Sequence, residues 1–268
     1  MAGRRTIFIT GGGSGIGRAI ALRFAREGWF VGLGDVNEAG MEETAALLST
    51  SFTYSHAFDV RDRAGWDTAL RNVATAAGGR IDVLANNAGV PLAGTLAELS
   101  TEEIDRTLDI NLRGAIYGAQ AAYPWLKQAA PGSCLLNTAS AAALYGMPNQ
   151  SIYGATKAGL RSLTETLDGE WAEDGIRVCS LMPSFIDTPL LSAQPNARRN
   201  VTIREVVVQA GLEFTPVEDV AEAAWQAVHG SRTHYAVGKT ARKMRFAARW
   251  MPGKLRERAK KLAEAAKE

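Results

Sequence analysis

Tyr153 and Lys157 stand four residues apart. If Tyr153–Ala172 is helical, as its apolar spacing predicts, they lie one turn apart on the same face. A free phenol titrates near ~10, too high for an efficient proton acceptor at neutral pH. An ammonium roughly 5 Å away, at an effective dielectric near ~20, contributes about 3 kcal/mol, or ~2 pK units, toward its ionisation. The pair could then take the hydroxyl proton of an alcohol as hydride leaves carbon, or return it to a ketone. Any single Tyr-Lys pair at this spacing is more often a pair of helix-surface neighbours. By the same measure Ser140 is a strand-end hydroxyl and Asn111 a helix cap.

A second group of residues suits a dinucleotide. Thr10-Gly11-Gly12-Gly13-Ser14-Gly15-Ile16-Gly17 follows an apolar run and leads into a helical pattern from Arg18 to Glu27. Glycine at 11, 15 and 17 permits a tight turn, close backbone approach to a pyrophosphate and close helix-to-strand packing, while free N–H groups at the helix start favour the anion. Alone, such a loop is as readily an ordinary strand-to-helix turn. Asp35, 18 residues after Gly17 at the end of the next predicted strand, shifts the balance. A carboxylate there can accept hydrogen bonds from both adenosine ribose hydroxyls and repel a 2′-phosphate, which selects NAD(H) over NADP(H) against the plainer reading of a solvated strand end. Ser14 brings no cation to neutralise an extra phosphate.

Short apolar runs alternating with amphipathic stretches must position these groups, and that alternation is the sign of βαβ units and a parallel sheet covered on both faces. Seven strands are predicted: Arg5–Thr10, Phe30–Gly34, Thr53–Phe58, Val83–Asn86, Ser133–Thr138, Arg177–Leu181 and His234–Val237. Helical stretches such as Ile16–Glu27, Arg63–Ala77, Thr101–Lys127 and Tyr153–Ala172 lie between them. Right-handed crossovers then give an α/β, Rossmann-type, doubly wound sheet. The 268 residues suit one such domain over 1–238, with a substrate loop at about 184–215 and a basic helical extension over 239–268.

Composition narrows the class. Apolar residues make up 46% and charged residues 22%, enough to bury a large core. The net charge of +2 divides into −6 for residues 1–238 and +8 for 239–268. The acidic body argues against nucleic-acid binding. Cys134 and Cys179 sit in apolar runs and read as buried free thiols in a reducing compartment, and no secretory leader or long apolar span appears, so a cytoplasmic protein is expected. His56, His229 and His234 are scattered and form no expected metal site.

Five ordered features carry a family resemblance. The glycine loop, Asp59-Val60 after the third strand, Asn86-Asn87-Ala88-Gly89 after the fourth, Ser140, and Tyr153-x-x-x-Lys157 together resemble the short-chain dehydrogenase/reductase family. The resemblance implies an NAD(H)-dependent oxidoreductase interconverting a secondary alcohol and a ketone, with Asn111, Ser140, Tyr153 and Lys157 as catalytic residues. Tyr153 is then the acid/base, Ser140 a hydrogen-bond donor to the substrate oxygen, and Asn111 a local helix break whose carbonyl holds a water linking Lys157 to solvent. Cofactor contacts are expected from Gly11, Gly13, Ser14, Gly15, Ile16, Gly17, Asp35, Val36, Asp59, Val60, Asn86, Ala88, Gly89, Tyr153, Lys157, Pro183, Ile186 and Thr188. One departure is Pro183-Ser184, where many members have Pro-Gly; serine narrows the backbone freedom beside the nicotinamide. A catalytically silent NAD-binding regulator or scaffold on the same fold is the alternative, and the complete Tyr-Lys pair argues against it.

Substrate-facing positions are expected at Ser140, Ala142, Leu144, Tyr145, Met147, Gln150, Tyr153, Phe185, Leu190 and Leu191, with no Arg or Lys among them. A hydrophobic small molecule is therefore expected, not a phosphorylated sugar or an acyl-carrier thioester. Small residues on Ala115–Lys127 and Tyr153–Trp171 (Ala115, Gly118, Ala119, Ala122, Ala155, Ala158 and Gly159) permit close helix approach, and the resemblance implies a homodimer or homotetramer. In the extension, Met244, Phe246, Trp250, Met251, Leu255 and Leu262 lie among cations. Such helices could rest on an anionic membrane surface, but packing on the body or on a neighbouring subunit is favoured.

Overall fold

Strands β1 (Thr6–Thr10), β2 (Phe30–Asp35), β3 (Thr53–Ala57), β4 (Val83–Asn86), β5 (Ser133–Thr138), β6 (Ile176–Pro183) and β7 (His234–Val237) form one sheet in the order β3-β2-β1-β4-β5-β6-β7. Every neighbouring pair is parallel. This computed structural model describes residues 4–48, 51–198, 201–209 and 211–265. β1 is buried along its whole length, as a central parallel strand must be, and its residues alternate between two cores. Ile7 and Ile9 enter one, Phe8 the other.

Helices α1 (Gly15–Arg26), α2 (Glu38–Leu48), α3 (Arg63–Ala76), α4 (Thr101–Leu108), α5 (Gly114–Ala129), α6 (Ser151–Glu170), α7 (Ile203–Gln209) and α8 (Val217–His229) fill the connections. α1, α2 and α8 cover the Ile7/Ile9 face through Ile20, Phe24, Met41, Val220 and Ala224. α3 and α5 cover the other through Trp66, Leu70, Ala122 and Leu126. Phe8, Phe58 and Trp66 interlock there, with ring centroids 5.1–6.3 Å apart. Each such buried side chain contributes about 1.5–3 kcal/mol. At the amino edge Asp82 is fully buried, accepts the Thr6 N–H at 2.9 Å and pairs with Arg80 at 2.6 Å.

The predicted strands stand, with shifts only at their ends: β1 starts at Thr6, β2 gains Asp35, β3 ends at Ala57, and β6 gains Ile176, Met182 and Pro183. The stretch Thr101–Lys127 is not one helix. It breaks at a wide turn, Asp109–Arg113, where the Gly114 N–H donates to the Asp109 carbonyl five residues back. α4 itself opens on a capping box: the Ser100 hydroxyl accepts from Glu103 N–H at 3.2 Å, and the Glu103 carboxylate accepts from Ser100 N–H at 2.9 Å.

Beyond β7 the chain forms α9 (Lys239–Trp250) and α10 (Pro252–Ala265), divided at Met251-Pro252. Proline as the first residue of α10 loses no hydrogen bond. α9 packs against β7 and against the short turn Ala141–Ala143 that follows β5, and it buries Ala241 completely. The thiols of Cys134 and Cys179 are buried and free, their sulfurs 3.5 Å apart on adjacent strands.

Candidate active site

Strand order reverses between β1 and β4, which opens a crevice at the carboxyl edge of the sheet. The glycine loop sits on one side of it. Gly11 and Gly15 adopt left-handed backbones, φ +68° and +51°. A Cβ on Gly17 would lie 2.1 Å from the Gly11 carbonyl oxygen, so α1 can pack against its own loop only without a side chain there. Ser14, which precedes α1, makes no side-chain cap, and this leaves first-turn N–H groups available to an anion.

The carboxylate of Asp35 ties this loop to β2. Its Oδ2 accepts the Gly13 N–H at 2.9 Å and its Oδ1 the Asn37 N–H at 3.0 Å. Arg18, the cation nearest the loop, donates to the Gly13 carbonyl at 2.6 Å and to Glu43 at 2.8 Å. Across the crevice Asn87 donates to the Thr10 carbonyl at 3.0 Å, and the Thr10 hydroxyl accepts from both Asn87 and Ala88 N–H at 3.1 Å. Asp59 is gripped by the Arg61 guanidinium, whose hydrogen bonds hold that carboxyl below the usual carboxylate range.

On the other side, β5 delivers Ser140 and α6 delivers Tyr153 and Lys157 to the same cleft. The Ser140 hydroxyl accepts the Ala142 N–H at 3.1 Å. Lys157 is 5% exposed; its Nζ donates to the Thr138 carbonyl at 2.8 Å and lies 5.8 Å from the centre of the Tyr153 ring. Burial pushes this lysine down to about 8. For Tyr153, the expected depression is not what the protein alone produces: burial raises the phenol, and a hydrogen bond with Ser140 only partly offsets it. A phenolate in a poorly solvated pocket costs more than one weakly solvated ammonium returns.

Asn111 lies in the wide turn, 1% exposed, beneath the cleft. Its amide clasps the Val90 backbone in both directions, accepting the N–H at 2.8 Å and donating to the carbonyl at 2.9 Å. Asn111 Oδ1 and Lys157 Nζ both flank Gly89, at 3.2 and 3.6 Å from where a Cβ would stand.

The cleft has a volume of about 1460 Å³, against ~300–1,000 Å³ for most small-molecule sites, so a dinucleotide and a second molecule fit together. Of the positions expected to touch the cofactor, its wall includes Gly11, Ser14, Gly15, Ile16, Asp35, Val36, Asp59, Val60, Ala88, Gly89, Pro183, Ile186 and Thr188. Of the positions expected to face substrate, Ala142, Met147, Gln150, Phe185, Leu190 and Leu191 line it as well.

Several expected positions fall elsewhere. Asn86 is buried under the sheet edge, donating to the Ala115 carbonyl at 2.9 Å and to Asn137 at 3.1 Å, and does not reach the wall. Its neighbour Asn87 does. Gly13 and Gly17 shape the loop from within, and Leu144 and Tyr145 stay off the wall. Ala115, Gly118, Ala119 and Ala122 face the protein's own interior, not a free helix surface. Cations outside the expected substrate-facing positions also line the cleft, among them Arg106, Lys239, Lys243 and Arg258. The three from the extension are drawn in because α9 and α10 fold back over the opening. The sequence signal was the set of apolar residues among these cations, Met244, Leu255 and Leu262 with them, which pointed to a packed face without saying against what.

At the Pro183-Ser184 departure, the Ser184 hydroxyl is buried with no hydrogen-bond partner among the described residues. Among the described residues no cluster of His, Cys, Asp and Glu could hold a metal ion, and no helix is long and apolar enough to cross a membrane.

A family model described as short chain dehydrogenase matches residues 5–199. The chain is 32% identical over 222 residues to a 3-oxoacyl-[acyl-carrier-protein] reductase of Thermotoga maritima, covering 81% of this chain and 87% of that one. An uncharacterized oxidoreductase of Staphylococcus epidermidis is 33% identical over 182 residues, 68% of this chain and 78% of the relative. Among solved structures, levodione reductase superimposes with a TM-score of 0.77 at 29% identity, covering 89% of this chain and 98% of that one. A Burkholderia phymatum short chain dehydrogenase/reductase in complex with NAD gives 0.82 at 25% identity, with 96% and 95% covered.

Proposed function

The chain belongs to the short-chain dehydrogenase family of oxidoreductases, and from that footing we propose that it interconverts a secondary alcohol and a ketone with NAD(H). The carrying observation is the convergence of Ser140, Tyr153 and buried Lys157 on the crevice that the glycine loop borders. When bound, the nicotinamide would accept or donate the hydride. Tyr153 exchanges the proton of the substrate oxygen, and Ser140, on the wall of the same cleft, steadies the oxygen as charge develops. Lys157, fixed by the Thr138 carbonyl, keeps a donor beside the phenol, and the wide turn at Asn111 offers the path by which its proton exchanges with solvent.

The residues fit a dinucleotide: uncapped α1, Gly11 and Gly15 would hold its pyrophosphate, and Asp35 and Val36 the adenosine ribose. Asp35 favours NAD(H), since a 2′-phosphate would meet its carboxylate while Arg18 and Arg61 are engaged by Glu43 and Asp59. The substrate is lipophilic, matching Ala142, Met147, Phe185, Leu190 and Leu191. The protein works in the cytoplasm as a homodimer or homotetramer, for which exposed Ile116, Ala155 and Ala158 offer contact surface. Absorbance of the reduced nicotinamide, followed with a panel of alcohols and ketones and with each dinucleotide, tests the assignment. Turnover of hydrophobic ketones with NADH is expected; no change with any member, or preference for NADPH, would refute it.

A further inference from the structure

The extension builds a wall of the cleft that hydride transfer does not require. Glu213 Oε1 accepts the N–H groups of Lys239 and Thr240 at 2.7 and 3.2 Å, which anchors the first turn of α9 and suits the positive end of its dipole. Gly238, at φ +91°, passes where a Cβ would lie 2.5 Å from Thr215 Oγ1 and 2.6 Å from Ser184 Oγ. α9 is thus pinned beside the chain leaving β6, against the turn that begins at Ser140.

The surface this presents to the cleft is apolar with two cations. Met244, Ala247, Leu255 and Leu262 line it, with Lys243 and Arg258 among them. Neither cation has a carboxylate within ion-pair distance among the described residues. Glu213, the carboxylate of this wall, is occupied by α9 and lies 3.9 Å from Lys239 Nζ. Unpaired cations along an apolar wall complement a molecule whose body is lipophilic and whose far end is anionic.

We propose that α9 and α10 form the outer wall of the substrate site and that Lys243 and Arg258 receive a carboxylate or similar anionic group on an otherwise lipophilic alcohol or ketone. The proposal rests on the redox assignment only for the chemistry at the substrate's other end.

The test uses a ladder of methyl-ketone fatty acids of increasing length, each paired with its methyl ester. Each is titrated calorimetrically into the full chain with NAD+, which has no hydride to give a ketone, and separately assayed for turnover with NADH. At the best-fitting length the acid should bind roughly three- to tenfold tighter than its ester at low salt, the range two partly solvated ion pairs supply. Lys243→Gln with Arg258→Gln should abolish that preference and leave the ester unchanged. Arg245→Gln with Arg256→Gln, which alters exposed cations of the same helices off the wall, should preserve it. Equal binding of acid and ester at every length, or a preference that survives the first double substitution, overturns the proposal. Acid-selective binding without turnover of any pair would sink the redox assignment and leave the anion site standing.

Discussion

The two sides of the cleft are held by different forces. On the β1–β4 side, Asp35, Arg18, Asn87 and Thr10 bind loop backbone at 2.6–3.1 Å, and Thr44 donates to the Gly12 carbonyl at 2.9 Å. Its shape is fixed by short polar contacts and absent side chains. The opposite side is assembled from the turn after β5, the loop after β6, α7 and the extension, mostly through apolar side chains. The hydrogen bonds that tie these pieces together run mostly between backbones, as from Thr215 N–H to the Phe185 carbonyl at 2.9 Å and from Ile203 N–H to the Ala193 carbonyl at 3.1 Å, with the Glu213 carboxylate holding α9. A scaffold of the first kind fixes where a dinucleotide lies; walls of the second kind can vary in shape and charge without disturbing it.

Substitutions at the junction and on each side probe this division. The largest effect is expected for Tyr153→Phe, which should lower turnover by about 10²–10⁴-fold while NADH fluorescence titrations stay unchanged. Loss of nucleotide binding as well would show that the two sides are not separable.

Lys157→Met should change how stability depends on pH. The native ammonium is lost near about 8 and the unfolded one at 10.5, so between those values the unfolded chain binds more protons and parent stability rises with pH. The stability gap between variant and parent should therefore shift by about 3 kcal/mol in the parent's favour across that window. Tyr153, raised above 10, works the other way from about pH 10 upward, but it does so in parent and variant alike. Urea denaturation at a series of pH values checks it, and parallel curves would mean that the amine is solvated.

Gly17→Ala, which forces a methyl toward the Gly11 carbonyl, should cost roughly 1–3 kcal/mol and weaken NADH binding. A stable variant with unchanged affinity would mean that the loop is not rigid. The smallest change is Glu213→Ala. Untying α9 should remove about 1 kcal/mol and alter substrate KM with no effect on the NADH titration; a shifted titration would couple the two sides.

What the sequence by itself determined is local. Strand positions, the Gly11–Gly17 turn, Asp35 at a strand end and the Tyr153/Lys157 spacing all follow from periods of two or 3.6 and from residues whose backbone options are few. Even there the expected residue is Asn86 and the one that lines the cleft is Asn87, because one residue of register turns Asn86 inward and Asn87 outward. Only the tertiary structure decided the net direction of the Tyr153 shift, since desolvation depends on everything packed around a group. It alone placed Lys243 and Arg258 in the cleft as well. A basic amphipathic segment carries no record of the surface it will cover, and that choice is made by distant residues such as Glu213, Thr215 and Ser184, against which α9 comes to rest.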